Sequence, residues 1–251
     1  MACARAGVVG VIISYRLAPS VLAFDQIKDV KKALGWVGKE VGRYGGDARK
    51  IFLGGVSAGA HLCATLLAEE EEEENGREGG QVRGLVGLSG VYNLEKMIRL
   101  GGGGGGGRGG GGGEGGMGGL SSLMVPIVFG ADESKWPLAS PLHLVRRARR
   151  RRRREGGREG GVLLERVPLL LVNAEKDFHL EEDAVELVGE LEGGREGERE
   201  GEVVVERRRV VVTGTDHISL VQEMGWKEGE GEERTVLEEQ VFDFIHRHSR
   251  D

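Results

Sequence analysis

The stretch Ile51–Leu62, IFLGGVSAGAHL, decides how this chain is read. Its opening IFLGG has the apolar, β-branched start of a strand, and AHLCATLLA after Gly59 is rich in helix formers. Between them lies Gly55-Val-Ser-Ala-Gly59, a G-x-S-x-G pattern. With 46 glycines and ten serines in 251 residues, chance alone supplies that pattern about 0.3 times, so the five residues prove little by themselves. The strand before and the helix after are what a nucleophile elbow requires. Such a turn strains the serine backbone, and glycines two positions either side, Gly55 and Gly59, remove side chains that would collide. It lifts the Ser57 hydroxyl to the C-terminal end of the strand, where open α/β sheets bind ligands. The N–H of Ala58, at the start of the helix, can point at a developing oxyanion.

Working outward, Val8–Tyr15 (VVGVIISY) is a continuous apolar run that predicts a strand buried on both faces. Asp25–Val41 places Ile27, Val30, Leu34, Val37 and Val41 three and four apart, an amphipathic helix, and Tyr44–Asp47 reads as a turn. Further strands are predicted at Lys50–Gly54, Arg83–Ser89, Val167–Asn173 and within Val203–Thr213. Helices are predicted at Ala58–Ala68, Leu180–Leu191 and Thr235–His248, with short helical or irregular pieces at Pro126–Gly130 and Trp136–Val145. Apolar strands alternating with helices imply a three-layer α/β/α sandwich around a mostly parallel sheet.

The glycine excess collects in four biased tracts, Glu69–Gly80, Gly101–Gly119, Arg146–Gly161 and Gly193–Glu202. They offer little apolar surface to offset ordering entropy and are expected to be loops. All fall between elements, where long insertions cost little closure entropy, so a single domain over residues 1–251 is expected. The run Arg146–Arg154 has the composition of a polyanion patch. A net charge of −6, with Glu and Gly tracts of the same kind elsewhere, favours a low-complexity insertion and no nucleic-acid partner. The two cysteines, Cys3 and Cys63, carry no metal-ligand spacing, and Cys63 reads as core filler, so neither metal nor cofactor is expected. The apolar run of about eight residues near the N-terminus is too short for a membrane span, and a soluble cytoplasmic protein is the expectation.

A nucleophilic serine needs a base and a group that orients the base. In this sheet type the order along the chain is serine, acid, histidine, each at a strand end. Asp177 follows the strand VPLLLVN and His217 follows the strand VVV, so Ser57, Asp177 and His217 have that order. Asp183 falls inside a predicted helix, and Glu175 is a weaker alternative acid. His179 follows the acid too closely, His61 lies one turn into the elbow helix, and His143, His246 and His248 read as surface residues.

On these residues the chain resembles the α/β-hydrolase superfamily, in its carboxylesterase branch with hormone-sensitive-lipase-like esterases. Ser14-Tyr-Arg-Leu-Ala-Pro19 looks like the end of a central strand in that branch, and Asp29-Val…Ala33-Leu…Trp36-Val like its next helix. Tyr44-Gly-Gly-Asp47…Gly55-Val-Ser-Ala-Gly-Ala-His-Leu62 resembles the elbow region, with Ser89-Gly-Val-Tyr-Asn-Leu94 and Ala139-Ser-Pro141 like the segments before the acid strand. The resemblance implies a carboxylic ester hydrolase acting on a small-molecule ester without a cofactor. Isoprenylcysteine methylesterases and kynurenine formamidases share the same motifs, so prenylcysteine ester and arylformamide cleavage are alternatives. A weakened or non-catalytic binding protein on this scaffold is another. Family members carry a His-Gly-Gly oxyanion loop upstream of the YRLAP strand. This sequence contains no His-Gly-Gly, which implies a fold lacking its first strands and an exposed sheet edge.

Overall fold

A computed structural model describes residues 2–69, 81–101, 124–155, 161–193, 205–222, 224 and 235–250. The expected insertions at 70–80, 102–119 and 194–202 lie outside the described residues, as do Val203 and Val204 of the last predicted strand. The chain runs α1 (Ala2–Arg5), α2 (Ala23–Glu40), β1 (Ile51–Val56), α3 (Ala58–Ala68), β2 (Val82–Leu88) and α4 (Leu94–Gly101). After α5 (residues 124–129) come α6 (Pro141–Glu155), β3 (Leu169–Lys176) and α7 (Leu180–Glu192). The chain closes with β4 (Arg207–Asp216), α8 (Ser219–Gln222) and α9 (Val236–His248). Short 3-10 turns occupy Val41–Tyr44, Glu133–Ala139 and Leu163–Glu165.

The four strands form one parallel sheet in the order β1-β2-β3-β4. Period-2 alternation sends successive side chains of β3 to opposite faces. Leu169 and Leu171 meet α3, α6 and α7 through Leu67, Val145 and Leu187. Leu170 and Val172 meet α9 through Val241 and Phe244. Both faces of the sheet are thus covered, which is the expected three-layer sandwich. On the outer side of α3, α2 packs Ile27 and Val30 against Leu62. Cys63, on α3 itself, points into the core, where burial pushes its thiol up to about 11.

Two segments depart from what their sequence predicts. Val8–Tyr15 is not a buried strand: it has no place in the sheet, and Ile12 is 100% exposed with Val9, Val11 and Ile13 also exposed. A strand exists only as a paired strand, and among the described residues β1 pairs with β2 alone. The two ends of the segment are tied to the domain. Arg5 meets Glu238 and the Ala6 carbonyl meets His246 on α9, while Arg16 forks onto both Asp29 carboxylate oxygens at 2.9 and 2.8 Å. Likewise, the tract beginning at Arg146 is helix through Glu155, not loop. Leu142, Val145 and Ala148 extend one apolar stripe into it and are buried against the core.

Candidate active site

The turn after β1 has the backbone the motif demands. Ser57 sits at φ 51°, ψ −114° between the last residue of β1 and the first of α3. Its N–H donates to the Leu88 carbonyl at 2.8 Å, and Ser89 N–H donates to Val172 at 2.7 Å, so hydrogen bonds link the C-terminal tips of β1, β2 and β3. A Cβ on Gly55 would lie 2.3 Å from the Gly59 carbonyl carbon and 2.5 Å from the Ala60 nitrogen. Gly59 is different, because a Cβ there meets nothing within 4 Å. The expected pair of enabling glycines therefore reduces to one, since the single collision runs from Gly55 onto the backbone of Gly59. The Ser57 side chain does not cap α3 and makes no hydrogen bond among the described residues. Ala58 N–H opens the helix and likewise has no acceptor among them.

Asp177 lies just past β3 and His217 just past β4. His217 Nδ1 is 2.7 Å from Asp177 Oδ1. The other carboxylate oxygen accepts from Asn173 Nδ2 at 2.9 Å and from Ala174 N–H at 3.2 Å. The carboxylate is buried, which works against its charge. Hydrogen bonds from His217, Ser89 and Asn173 outweigh that and hold it below the usual carboxylate range. The Ser89 hydroxyl oxygen stops short of a well-formed bond, so His217 and Asn173 are the firmer partners.

Sheet irregularity makes this pairing possible. Ala174 stands opposite Val212, but Lys176 stands opposite Asp216, so β4 takes extra residues between them. Gly214 turns the bulge at φ +75°, and its N–H donates to Glu175 Oε2 at 2.7 Å. The loop beyond is a tight Asx turn, in which the Asp216 carboxylate accepts from Ile218 N–H at 3.0 Å and Ser219 N–H at 2.7 Å. His217 is held inside that turn with the Phe178 ring 5.5 Å away. Asn173, Phe178 and Ser219 carried no functional expectation from the sequence, and Glu175 stood there only as an alternative acid. The D-x-x-S spacing of Asp216 and Ser219 is the one local signal that pointed to a turn.

The remaining candidates fall elsewhere. Asp183 is buried in α7, accepts from Asn93 N–H at 3.2 Å, and is pushed up to about 6, mainly by burial. Glu175 serves the bulge. His61 is buried with Nδ1 donating to the Val91 carbonyl at 2.8 Å; burial lowers its pKa, and Nε2 finds no hydrogen-bond partner among the described residues. His179 is exposed beside Glu182, and His246 and His248 are tied to the Ala6 carbonyl and Glu206. Among the described residues no group of His, Cys, Asp or Glu could hold a metal ion, and no helix is long and apolar enough to cross a membrane.

A parallel sheet whose first strand runs through a G-x-S-x-G elbow into a helix defines the class: the chain has the α/β-hydrolase fold. Its solved neighbours include esterase B from Lactobacillus rhamnosis, with a TM-score of 0.63 at 17% identity over 94% of this chain and 65% of that one. A truncated carbohydrate esterase from gut microbiota gives 0.63 at 16% identity over 99% and 76%. Within the class, residues 1–102 match the BD-FAE family model. A probable isoprenylcysteine alpha-carbonyl methylesterase of Oryza sativa subsp. japonica is 36% identical over 100 residues, 38% of this chain and 24% of the relative. The probable carboxylic ester hydrolase LipM of Mycobacterium tuberculosis is 37% identical over 98 residues, 38% and 23% respectively. The chain spans about a quarter of the length of these curated relatives.

Proposed function

We propose that this protein is a serine hydrolase of small carboxylic esters, with Ser57 as nucleophile, His217 as general base and Asp177 as the group that orients it. The observation that carries the proposal is the 2.7 Å His217–Asp177 pair, set at strand ends on the sheet edge where the Ser57 elbow also emerges. With Nδ1–H donated to the carboxylate, His217 Nε2 is left as a lone-pair base. The Ser57 oxygen attacks the ester carbonyl as its proton passes to Nε2, and the Ala58 N–H stabilises the oxyanion. The imidazolium returns that proton to the leaving alkoxide, releasing the alcohol. Water, deprotonated by the same nitrogen, then hydrolyses the acyl-serine and frees the acid. The names of the curated relatives favour a carboxylic ester, a prenylcysteine methyl ester among them, over an arylformamide.

The test is labelling with a fluorophosphonate probe. Folded wild type should label and Ser57→Ala should not; an unlabelled but folded wild type overturns the assignment. Turnover of short-chain aryl esters against N-formyl arylamines separates the two substrate classes.

A further inference from the structure

Helix α6 carries eight arginines between Arg146 and Arg154, and the helical period sorts six of them into two rows. The inner row, Arg146, Arg149 and Arg152, is half-buried and neutralised. Arg146 pairs with Glu186 and Glu190 at 2.9 and 3.0 Å, while Arg149 and Arg152 share Glu165 at 2.6 and 2.5 Å. Burial opposes the Glu165 charge, yet the two guanidinium groups hold its carboxyl below the usual range. Arg149 also donates to the carbonyls of Glu190 and Leu191, docking α6 onto the end of α7.

The outer row is unlike this. Arg147, Arg150 and Arg154, spaced three and four apart, share one face, are exposed, and have no ion pair or hydrogen bond among the described residues. Like charges at that spacing repel, so the row destabilises its own helix by a few tenths of a kcal/mol per pair. They line a cleft of about 510 Å³ with Arg151, His143 and, from α4, Glu95. Glu95 lies 3.6 Å from His143 at one end, and Glu155 pairs with Arg151 at 3.1 Å at the other, so the uncompensated charge is confined to the middle.

We propose that this cleft binds a small anion carrying two or three clustered phosphate groups. Guanidinium forks match phosphate oxygens bidentately, and a concave wall focuses the field of the three free arginines. Arg147 to Arg154 is seven residues, about 10 Å along the axis, which suits a compact ligand. A volume of about 510 Å³ is within the range of small-molecule sites, where a bilayer or duplex would call for an open face. Among the described residues no aromatic ring except the His143 imidazole lines the cleft, and they offer no platform for stacked bases. The site shares no residue with Ser57, Asp177 or His217, and the proposal stands apart from the hydrolase reading.

The experiment is calorimetric titration of the full chain with sodium tripolyphosphate, and with sodium sulfate at matched ionic strength. Wild type should bind tripolyphosphate with one-to-one saturation and sulfate at least tenfold more weakly. The triple variant Arg147→Gln, Arg150→Gln, Arg154→Gln should lose at least tenfold in affinity while unfolding at the same or a higher temperature. Arg153→Gln, outside the cleft, should bind as wild type. Absence of saturable binding overturns the proposal, as do equal affinity in the triple variant and tighter binding of a single-stranded oligonucleotide or of anionic vesicles.

Discussion

His217 Nδ1 stands 2.7 Å from Asp177 Oδ1, and the contact joins two loops that leave adjacent parallel strands 40 residues apart. The pair exists because Asp177 is fixed from behind by Asn173 and Ala174, so its inner oxygen is committed and its outer one faces the imidazole. Asp177→Asn should keep the fold, since an amide oxygen can still accept those two bonds. The amide N–H2 would face Nδ1 and favour the wrong tautomer. By analogy with other triads, kcat on an aryl ester should fall by about four orders of magnitude. Stopped assays beside far-ultraviolet circular dichroism check this; a loss under tenfold with intact structure would remove Asp177 from its role.

Gly55 and Gly59 flank Ser57 symmetrically in sequence and should answer oppositely to the same substitution. Gly55→Ala drives a Cβ into backbone at 2.3 Å, which nothing flexible can relieve, and should destabilise by at least about 3 kcal/mol. Gly59→Ala enters open space at the start of α3 and should be neutral or stabilise by up to about 1 kcal/mol. Urea unfolding of the two variants decides it. Equal losses would mean that the elbow backbone differs from the one described.

These contrasts show which parts of the molecule a sequence exposes. The elbow turn, the strand-end positions of Asp177 and His217 and the amphipathic face of α2 were legible because each is set by near neighbours in the chain. The Arg146–Arg154 helix was not, since what holds it is Glu165, Glu186 and Glu190, which composition cannot assign as partners. Val8–Tyr15 misled for the opposite reason: its β-branched run states a local preference, but a strand also needs a neighbour. The bulge that delivers His217 was hidden because one extra turn of chain at Gly214 leaves no periodic signature.

Asp183 gives a pH signature with a definite sign. Its folded pKa is raised from 3.8 to about 6, chiefly by burial, so the folded state holds the proton more tightly than the unfolded chain. The resulting stability is fully present below about pH 4 and is lost as pH rises through about 6. Asp183→Asn keeps the oxygen that accepts Asn93 N–H and has no proton to lose. The stability of Asp183→Asn relative to wild type should therefore grow by about 3 kcal/mol between pH 4 and 7. Parallel urea titrations measure the difference, and a flat difference across that range would refute the buried, ionisable role.

Gly214 sets the position of His217 through backbone shape alone, because φ is +75° and a Cβ there would touch nothing within 4 Å. Substitutions should then be ranked by their tolerance of the left-handed region and not by size. Gly214→Val should cost about 2 kcal/mol or more, and Gly214→Asn distinctly less, since asparagine visits that region readily. Any relaxation of the bulge must also move His217 from Asp177, because Lys176 opposite Asp216 is the register that brings them together. Ester turnover should follow the same ranking, with Asn retaining more of kcat than Val. If Val and Asn prove equal in both stability and kcat, the strained glycine is not what aligns the histidine with its carboxylate.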